Sequence, residues 1–194
     1  IYRLGELEEG IASAAHRAQR SNVEEGRGRA RTSLDHMALS REIFREYDIR
    51  GVAGKDLTAE VATLVAGAYA AFLGEKGVKG TLAVGRDNRP SGEKLHAALV
   101  AGLLASGVDV VDIGIVPTPL AYWSQHNLDV VGGIQITGSH NPPEYNGVKF
   151  FDHAGQKLTD ATEEKIEALL DADAPGGGEI DHVDIATDSY FEHI

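Results

Sequence analysis

Residues 137–149 read Thr-Gly-Ser-His-Asn-Pro-Pro-Glu-Tyr-Asn-Gly-Val-Lys, and this stretch is the most informative part of the chain. An apolar run at 130–136 leads into it, and a second apolar run at 148–151 follows it. Ser139 and His140 therefore lie in a polar turn between two predicted strands. The pattern predicts a fold that presents a reactive hydroxyl at the end of a strand.

The residue types in this turn favour a hydroxyl that is held in place before any ligand arrives. Gly138 allows a close backbone approach or a positive φ beside Ser139. Asn141 can hydrogen-bond its own backbone, and the two prolines at 142–143 stiffen the chain. Lys149 projects from the strand that follows and can reach back towards the serine.

Each of these residues also has a simpler interpretation. A Ser-His pair in a loop is usually a turn with a capping hydroxyl, and a lone strand lysine such as Lys149 is usually solvated. Arg50 alone is more often a surface ion-pair partner. Taken together, Arg50, Arg86 and Lys149 are cations grouped near a serine in an acidic chain. Such a group favours an anionic, phosphate-bearing substrate.

Length and composition limit the possible functions. The 194 residues suffice for one substantial core, and the absence of cysteine excludes disulfides, thiolate zinc sites and cysteine nucleophiles. The sequence shows no apolar run of about 20 residues and no signal-peptide pattern, so we expect no membrane partner. A net charge of −12 argues against nucleic acid. A reducing cytoplasm is compatible with this composition, and we expect a cytoplasmic protein.

The charge is unevenly distributed along the chain. Residues 1–36 are electrically balanced, whereas residues 151–194 contain two lysines and twelve acidic residues. These acidic residues lack metal-ligand spacing, so the pattern indicates a solvated surface rather than a metal site.

Beyond residue 42, strand and helix patterns alternate. Such alternation predicts an α/β fold with a mixed, largely parallel sheet flanked by helices. We expect three polar loops, around Arg50, Arg86 and Ser139, to gather at the carboxyl ends of the strands. The predicted strands cover 43–47, 81–84, 108–113, 130–136 and 148–151, with a turn at 48–51; the predicted helices cover 58–76, 91–107, 117–126 and 159–170.

Three blocks, in matching order and spacing, carry a family resemblance. They are the blocks at 43–51 (Ile-Phe-Arg-Glu-Tyr-Asp-Ile-Arg-Gly), 84–92 (Val-Gly-Arg-Asp-Asn-Arg-Pro-Ser-Gly) and 137–149. On these blocks the chain resembles bacterial phosphomannomutase/phosphoglucomutase, of the α-D-phosphohexomutase superfamily. The resemblance covers about residues 40–194 and implies the fold of phosphohexomutase domain I.

The resemblance implies a phosphoryl transfer that interconverts hexose 1-phosphate and hexose 6-phosphate of mannose or glucose. Ser139 would be carried as a phosphoserine, and a hexose 1,6-bisphosphate would be the intermediate. The cofactor implied is Mg²⁺, which would bind Ser139 through its phosphate, while its other ligands come from a second domain.

The resemblance also implies roles for individual residues. Arg50 and Lys149 would contact the phosphoryl group and assist proton transfer. His140 would orient the serine or the substrate, and Tyr47 would line the sugar site. Arg86 would support the arrangement of the loops.

Some features of the family are not found in this sequence. There is no Asp-Gly-Asp-x-Asp-Arg metal loop, no sugar-selecting loop and no later phosphate-clamping loop. We therefore expect a nucleophile-bearing N-terminal part that is inactive alone and needs the remaining mutase domains as partners. Phosphoglucosamine mutase is the near alternative, although the residues flanking Ser139 look more like the phosphomannomutase/phosphoglucomutase type. A non-catalytic domain that binds sugar phosphate or a partner is the alternative from another class.

The expected domain organisation has three parts. Residues 1–36 would be an extension, disordered or upstream of a natural start at Met37. Residues 37–185 would form the domain with the active serine, and residues 186–194 would begin a truncated second domain.

Overall fold

A computed structural model describes residues 41–45, 48–170 and 176–183 of the chain. Three predictions lie outside these described residues: the role of Tyr47, the extension 1–36 and the segment 186–194.

The described residues form one mixed sheet with helices on both faces. A 3₁₀ turn, Arg41–Ile43, precedes the first strand. In sequence order the strands are β1 (Phe44–Arg45), β2 (Asp48–Val52), β3 (Leu82–Arg86), β4 (Val110–Ile115), β5 (Gly132–Ile136), β6 (Tyr145–Asp152) and β7 (Ile180–His182). The helices are α1 (Ala59–Glu75), α2 (Pro90–Ala105), α3 (Thr118–Asn127) and α4 (Asp160–Ala168).

The strand order in the sheet is β1-β2-β6-β5-β3-β4-β7. Strands β5, β3, β4 and β7 pair in parallel, while β1, β2, β6 and β5 pair antiparallel. The mixed α/β sheet flanked by helices is therefore confirmed. Because β3 and β5 are parallel neighbours, the loops that follow them leave the same edge of the sheet.

The four predicted helices agree with the observed helices to within two residues at each end. Thr58 caps α1, since its Oγ1 accepts a hydrogen bond of 3.3 Å from the Val61 N–H. Gly77, with φ of 65°, follows the end of α1. Pro90 occupies the first turn of α2, where its missing N–H costs nothing, so α2 begins one residue before the predicted start.

The sequence pattern does not predict two of the described strands, β2 and β7. The predicted turn at 48–51 is wrong, because these residues lie in β2 and pair with β6, with Ile49 opposite Val148. The short strand β7, next to β4, has no counterpart in the prediction. Both strands contain polar residues and form through long-range pairing, which a local pattern does not reveal.

Two consecutive aromatic residues on β6 show how the layers are built. Phe150 and Phe151 point to opposite faces of the sheet because side chains alternate along a strand. Phe150 packs on Tyr69 of α1 with ring centroids 4.6 Å apart, and Phe151 packs on Tyr122 of α3 at 5.0 Å. Helix α1 therefore covers one face and α3 the other, and α2 packs beside α1.

None of the helices that the structure describes is long and apolar enough to cross a lipid bilayer.

The packing of α1 on α2 yields a stability prediction. A Cβ on Gly102 of α2 would lie 2.8 Å from Ala66 Cβ and 2.9 Å from the Thr63 carbonyl oxygen of α1. We expect Gly102→Ala to lower the free energy of unfolding by about 1–3 kcal/mol, because the two helices must move apart. Urea unfolding monitored by circular dichroism measures this change.

Gly67, in the middle of α1, provides the matched control. A Cβ there would meet only Ser106 Oγ, at an ordinary contact distance of 3.8 Å. Gly67→Ala should therefore raise the free energy of unfolding by about 0.5–1 kcal/mol, because alanine favours the helix over glycine. Equal effects of the two substitutions would contradict the close packing at Gly102.

Candidate active site

The loops after β3 and β5 lie side by side at the carboxyl edge of the sheet. Arg86, the last residue of β3, is paired with Ile136, the last residue of β5. The Asp87 N–H continues this pairing by donating to the Ile136 carbonyl at 2.8 Å. The first of these loops is therefore adjacent to residues 137–147, which we call the serine loop and which include the first three residues of β6.

Ser139 lies in the serine loop with an unusual backbone conformation. Its φ is 53°, and no other non-glycine residue within the described ranges has a positive φ. The Ser139 N–H donates to Thr137 Oγ1 at 2.9 Å, and the Asn141 N–H donates to the Gly138 carbonyl at 3.0 Å. A left-handed conformation costs a serine roughly 1–2 kcal/mol, so surrounding contacts must maintain it.

His140 is the immediate neighbour of the serine hydroxyl. Its Nδ1 lies 3.2 Å from Ser139 Oγ, within hydrogen-bond distance, and both residues are exposed. This contact can fix the rotamer of the hydroxyl, which is the orienting role expected for His140.

Arg89 holds the serine loop from the β3 side. Its Nη1 donates to the carbonyl oxygens of Pro142 at 2.6 Å and Tyr145 at 2.9 Å. Its Nη2 donates to those of Ser139 at 3.1 Å and Asn141 at 2.7 Å. Hydrogen bonds from a charged group contribute about 1.5–3 kcal/mol each, so these four bonds outweigh the cost of the serine conformation.

Asp87 completes this arrangement as the partner of Arg89. Its Oδ1 accepts from the Arg89 N–H at 3.0 Å, and its Oδ2 accepts from the Gly138 N–H at 3.1 Å. The same Oδ2 lies 3.3 Å from Arg89 Nε. The carboxylate therefore joins the start of α2 to the start of the serine loop.

Arg86, which we expected to support the loops, has a smaller part in the structure. Its Nη1 donates to the Asp87 carbonyl at 3.3 Å, within its own loop. The contacts to the serine loop come instead from Arg89. Both arginines belong to the block at 84–92, but the side chain of Arg89 reaches the serine loop, whereas the hydrogen bond of Arg86 stays within its own loop.

Gly138 is explained by a close approach rather than by a positive φ. A Cβ at this position would lie 2.6 Å from Arg89 Nε, inside the space of the guanidinium. The left-handed residue of the turn is Ser139 itself. Of the two uses expected for Gly138, the structure therefore supports the close approach.

Arg50 is an ion-pair partner, and the pair is largely buried. Its Nε donates to Asp48 Oδ1 at 2.8 Å and to Oδ2 at 2.7 Å, and its Nη2 lies 2.6 Å from Oδ2. The Arg50 and Asp48 side chains are 18% and 8% exposed, so Arg50 is not the surface ion pair of the simpler interpretation. In the sheet, Arg50 of β2 is paired with Gly147 of β6. A Cβ on Gly147 would lie 3.1 Å from Arg50 Cγ and 3.0 Å from the Thr137 carbonyl oxygen.

Lys149 lies on the same face of the sheet as Arg50. It is two residues from Gly147 along β6, and side chains two apart share a face. Burial lowers the pKa of Lys149, and the charges of Lys157 and Arg50 lower it further, while Asp48 opposes the shift. Lys149 is only 9% exposed, which excludes the fully solvated lysine of the simpler interpretation.

Mg²⁺, the cofactor that the resemblance implies, binds oxygen ligands. In the ranges 41–45, 48–170 and 176–183, no group of three His, Asp or Glu side chains could hold a metal ion. Ser139 offers an exposed oxygen, the type of ligand that Mg²⁺ prefers. Ser139 can therefore supply one ligand to Mg²⁺, whereas the described residues do not supply a complete set of ligands.

A family model matches residues 41–175, with the description "Phosphoglucomutase/phosphomannomutase, alpha/beta/alpha domain I". The match spans all three sequence blocks and most of the sheet.

Several curated proteins and solved structures are similar to this chain. A phosphoglucosamine mutase of Rhodococcus opacus is 42% identical over 161 residues, covering 78% of this chain and 36% of the relative. A phosphoglucomutase/phosphomannomutase of Thermococcus kodakarensis is 42% identical over 130 residues, covering 66% of this chain and 28% of the relative. The crystal structure of a phosphoglucomutase/phosphomannomutase family protein from Burkholderia thailandensis aligns with a TM-score of 0.72 and 39% identity, covering 79% and 35%.

The chain thus spans only 28–36% of the length of these relatives. One of these relatives is named a phosphoglucosamine mutase and another a phosphoglucomutase/phosphomannomutase, and both are 42% identical to the chain. The similarity therefore identifies the phosphohexomutase superfamily and does not distinguish between the two enzyme types.

The charges around Lys149 give a prediction for its titration. Asp48→Asn removes the carboxylate that raises the pKa of Lys149 and leaves the cations that lower it. We therefore expect the pKa of Lys149 to fall further, so that the amine loses its proton at a lower pH than in the parent protein. Carbon-13 NMR of labelled lysine side chains measures the titration.

Glu75→Gln, at the exposed end of α1, is the matched control that removes a distant carboxylate. It should leave the titration of Lys149 unchanged. An unchanged or raised pKa in Asp48→Asn would show that the carboxylate does not act on the lysine.

Proposed function

The chain belongs to the phosphoglucomutase/phosphomannomutase family, and from this premise we propose that Ser139 carries the phosphoryl group of a hexose-phosphate mutase. One observation carries the proposal: Ser139 is an exposed hydroxyl in a left-handed turn, held by a charged guanidinium at the carboxyl edge of the sheet. A group that must accept and donate a phosphoryl unit needs this fixed position, because phosphoryl transfer depends mainly on positioning and charge stabilisation.

The proposed reaction has two transfers. The bond between the phosphorus atom and Ser139 Oγ breaks, and a bond forms between phosphorus and the free hydroxyl oxygen of the bound sugar phosphate. The sugar hydroxyl loses its proton, and the serine oxygen is left to regain one. The resulting hexose 1,6-bisphosphate turns round, and the serine then takes its other phosphoryl group, so the net reaction is an isomerisation.

In this proposal Lys149 assists proton transfer, and Arg50 contacts the phosphoryl group. The lowered pKa of Lys149 makes its neutral amine more accessible, which suits a group that takes and returns a proton. Arg50 is fixed by Asp48 and keeps a permanent charge on the same face, which suits contact with the phosphoryl group. His140 orients the serine hydroxyl, and Tyr47 is proposed to line the sugar site.

We further propose that Mg²⁺ is the cofactor and that the phosphate on Ser139 supplies one of its oxygen ligands. When bound, the ion would neutralise the charge that develops on the transferring group. Ser139 would present its phosphate at the edge of the sheet, and ligands from the remaining mutase domains would complete the site. We also propose that the domain with the active serine comprises residues 37–185 and that a second domain begins at residues 186–194. The proposed location of the protein is the cytoplasm.

The sugar is proposed as mannose or glucose phosphate, with glucosamine phosphate as the second candidate. The residues flanking Ser139 support the first choice. The name of the Rhodococcus opacus relative, at 42% identity, supports the second. Comparing the turnover of glucose, mannose and glucosamine 1-phosphates by the native protein distinguishes them. Binding of these sugars without any turnover would favour the non-catalytic domain.

The role of Ser139 is tested by substitution in the native protein, expressed from its own gene. Ser139→Ala should remove the phosphate found on the peptide containing residue 139. It should also lower kcat by at least about 10³-fold, because the covalent carrier is lost. Peptide mass spectrometry and a coupled assay for hexose 6-phosphate provide the two measurements.

Ser106→Ala is the matched control, since Ser106 lies at the opposite end of α2 from the serine loop. It should retain both the phosphate and the turnover. If Ser139→Ala kept the turnover of the parent protein, Ser139 would not be the carrier.

A further inference from the structure

We propose that Arg89 is a positioning residue for the transfer: it acts through the serine loop and sets the backbone geometry of Ser139. The inference rests on the proposed function of Ser139 as phosphoryl carrier. The contacts that Arg89 makes with the serine loop do not depend on that function.

The first observation is that all three nitrogen atoms of the Arg89 guanidinium have partners within the protein. An arginine side chain has five N–H groups. In the described residues, the two Nη atoms donate to four carbonyl oxygens of the serine loop, and Nε lies 3.3 Å from Asp87 Oδ2, its ion-pair partner. Arg89 therefore lies beside the reacting serine without being available to bind a phosphate in this arrangement.

The second observation is where the four acceptors lie along the chain. They belong to residues 139, 141, 142 and 145, so the bonds span the turn from the serine to the first residue of β6. One of them is the carbonyl of Ser139 itself. The guanidinium thus fixes both the left-handed residue and the segment that must bend back into the sheet.

The third observation is that Arg89 is itself held by rigid structure. It immediately precedes Pro90, the first residue of α2, and its own N–H donates to Asp87 Oδ1 at 3.0 Å. Its side chain is only 15% exposed. A planar group mounted in this way has a fixed orientation, which a lysine ammonium at the end of a flexible chain does not reproduce.

The fourth observation is the space left at Gly138. A Cβ there would lie 2.6 Å from Nε and 2.7 Å from Nη1 of Arg89. The end of a long side chain moves more readily than backbone. Gly138→Ala should therefore displace the guanidinium while leaving residue 89 unchanged in sequence, which gives a second, independent way to remove the contact.

The experiment compares Arg89→Lys, Arg89→Ala and Gly138→Ala in the native protein. If Arg89 positions the serine, all three should lower kcat by about 10²-fold, since small misplacements of a reacting group have effects of this size. The KM for the hexose phosphate should change little, because Arg89 does not contact the substrate. Added guanidinium ion should restore part of the kcat of Arg89→Ala and none of that of Gly138→Ala.

A spectroscopic measurement on the 194-residue chain tests the geometry without any turnover. The Ser139 amide resonance and the coupling constant that reports its φ should shift in all three variants and stay unchanged in Lys94→Ala, an exposed residue of α2. This measurement distinguishes the two proposals. If the parent protein shows no phosphate on Ser139, the carrier role fails, while the shift still tests the role of Arg89 in loop geometry.

Three results would overturn the inference. One is a kcat within about twofold of the parent protein in Arg89→Lys and Gly138→Ala, a difference too small for a misplaced group. Another is a raised KM at unchanged kcat, which would make Arg89 a substrate-binding residue. The third is a lowered urea midpoint with neither a shifted Ser139 resonance nor a lowered kcat, which would make Arg89 a residue of stability alone.

Discussion

The arrangement of the site depends on the hydrogen bonds between one largely buried guanidinium, that of Arg89, and the carbonyl oxygens of the serine loop. A turn that leaves a sheet has carbonyl groups that no strand partner can satisfy, and a largely buried arginine has five N–H groups that need acceptors. The serine loop supplies acceptors for four of the Arg89 N–H groups, and Asp87 Oδ2 lies 3.3 Å from the nitrogen that carries the fifth. The contact is possible only because β3 and β5 are parallel neighbours, so that their loops emerge side by side.

Close contacts at glycines make this arrangement possible. A Cβ at Gly138 would meet the Arg89 guanidinium, and a Cβ at Gly147 would lie 2.7 Å from the Ile49 carbonyl oxygen. Neither glycine has a positive φ, so both are required by the small distance to a neighbour rather than by conformation. The strain is carried instead by Ser139, the residue with the proposed chemical role, which agrees with the tendency of strained backbone to lie at functional sites.

Much of this fold follows from local pattern. Apolar periodicity and caps such as Thr58 give the helices, and the apolar run before Thr137 gives the strand that leads into the serine loop. Strand β2 does not follow from pattern, because Asp-Ile-Arg-Gly-Val is half polar and becomes a strand only by pairing with β6. The sequence alone does not show whether Arg86 or Arg89 contacts the serine loop. The direction of each side chain depends on where β3 ends and α2 begins. Position in the sequence therefore identifies the loop but not the residue that holds it.

The charges on the face shared by β2 and β6 differ in whether they have an ion-pair partner. Asp48 pairs with Arg50, so this largely buried pair is close to neutral. In contrast, no described carboxylate lies within ion-pair distance of Lys149. Burial and neighbouring cations lower the pKa of Lys149 when no phosphate is near. A phosphoryl group carries a charge of about −1.5 to −2, and an opposite charge within a few ångströms raises the pKa of a lysine. If phosphate approaches Lys149 as proposed, the amine binds a proton more tightly while the phosphate is close and less tightly after it leaves. Proton transfer would then be coupled to the position of the phosphoryl group by electrostatics alone, without movement of the fold.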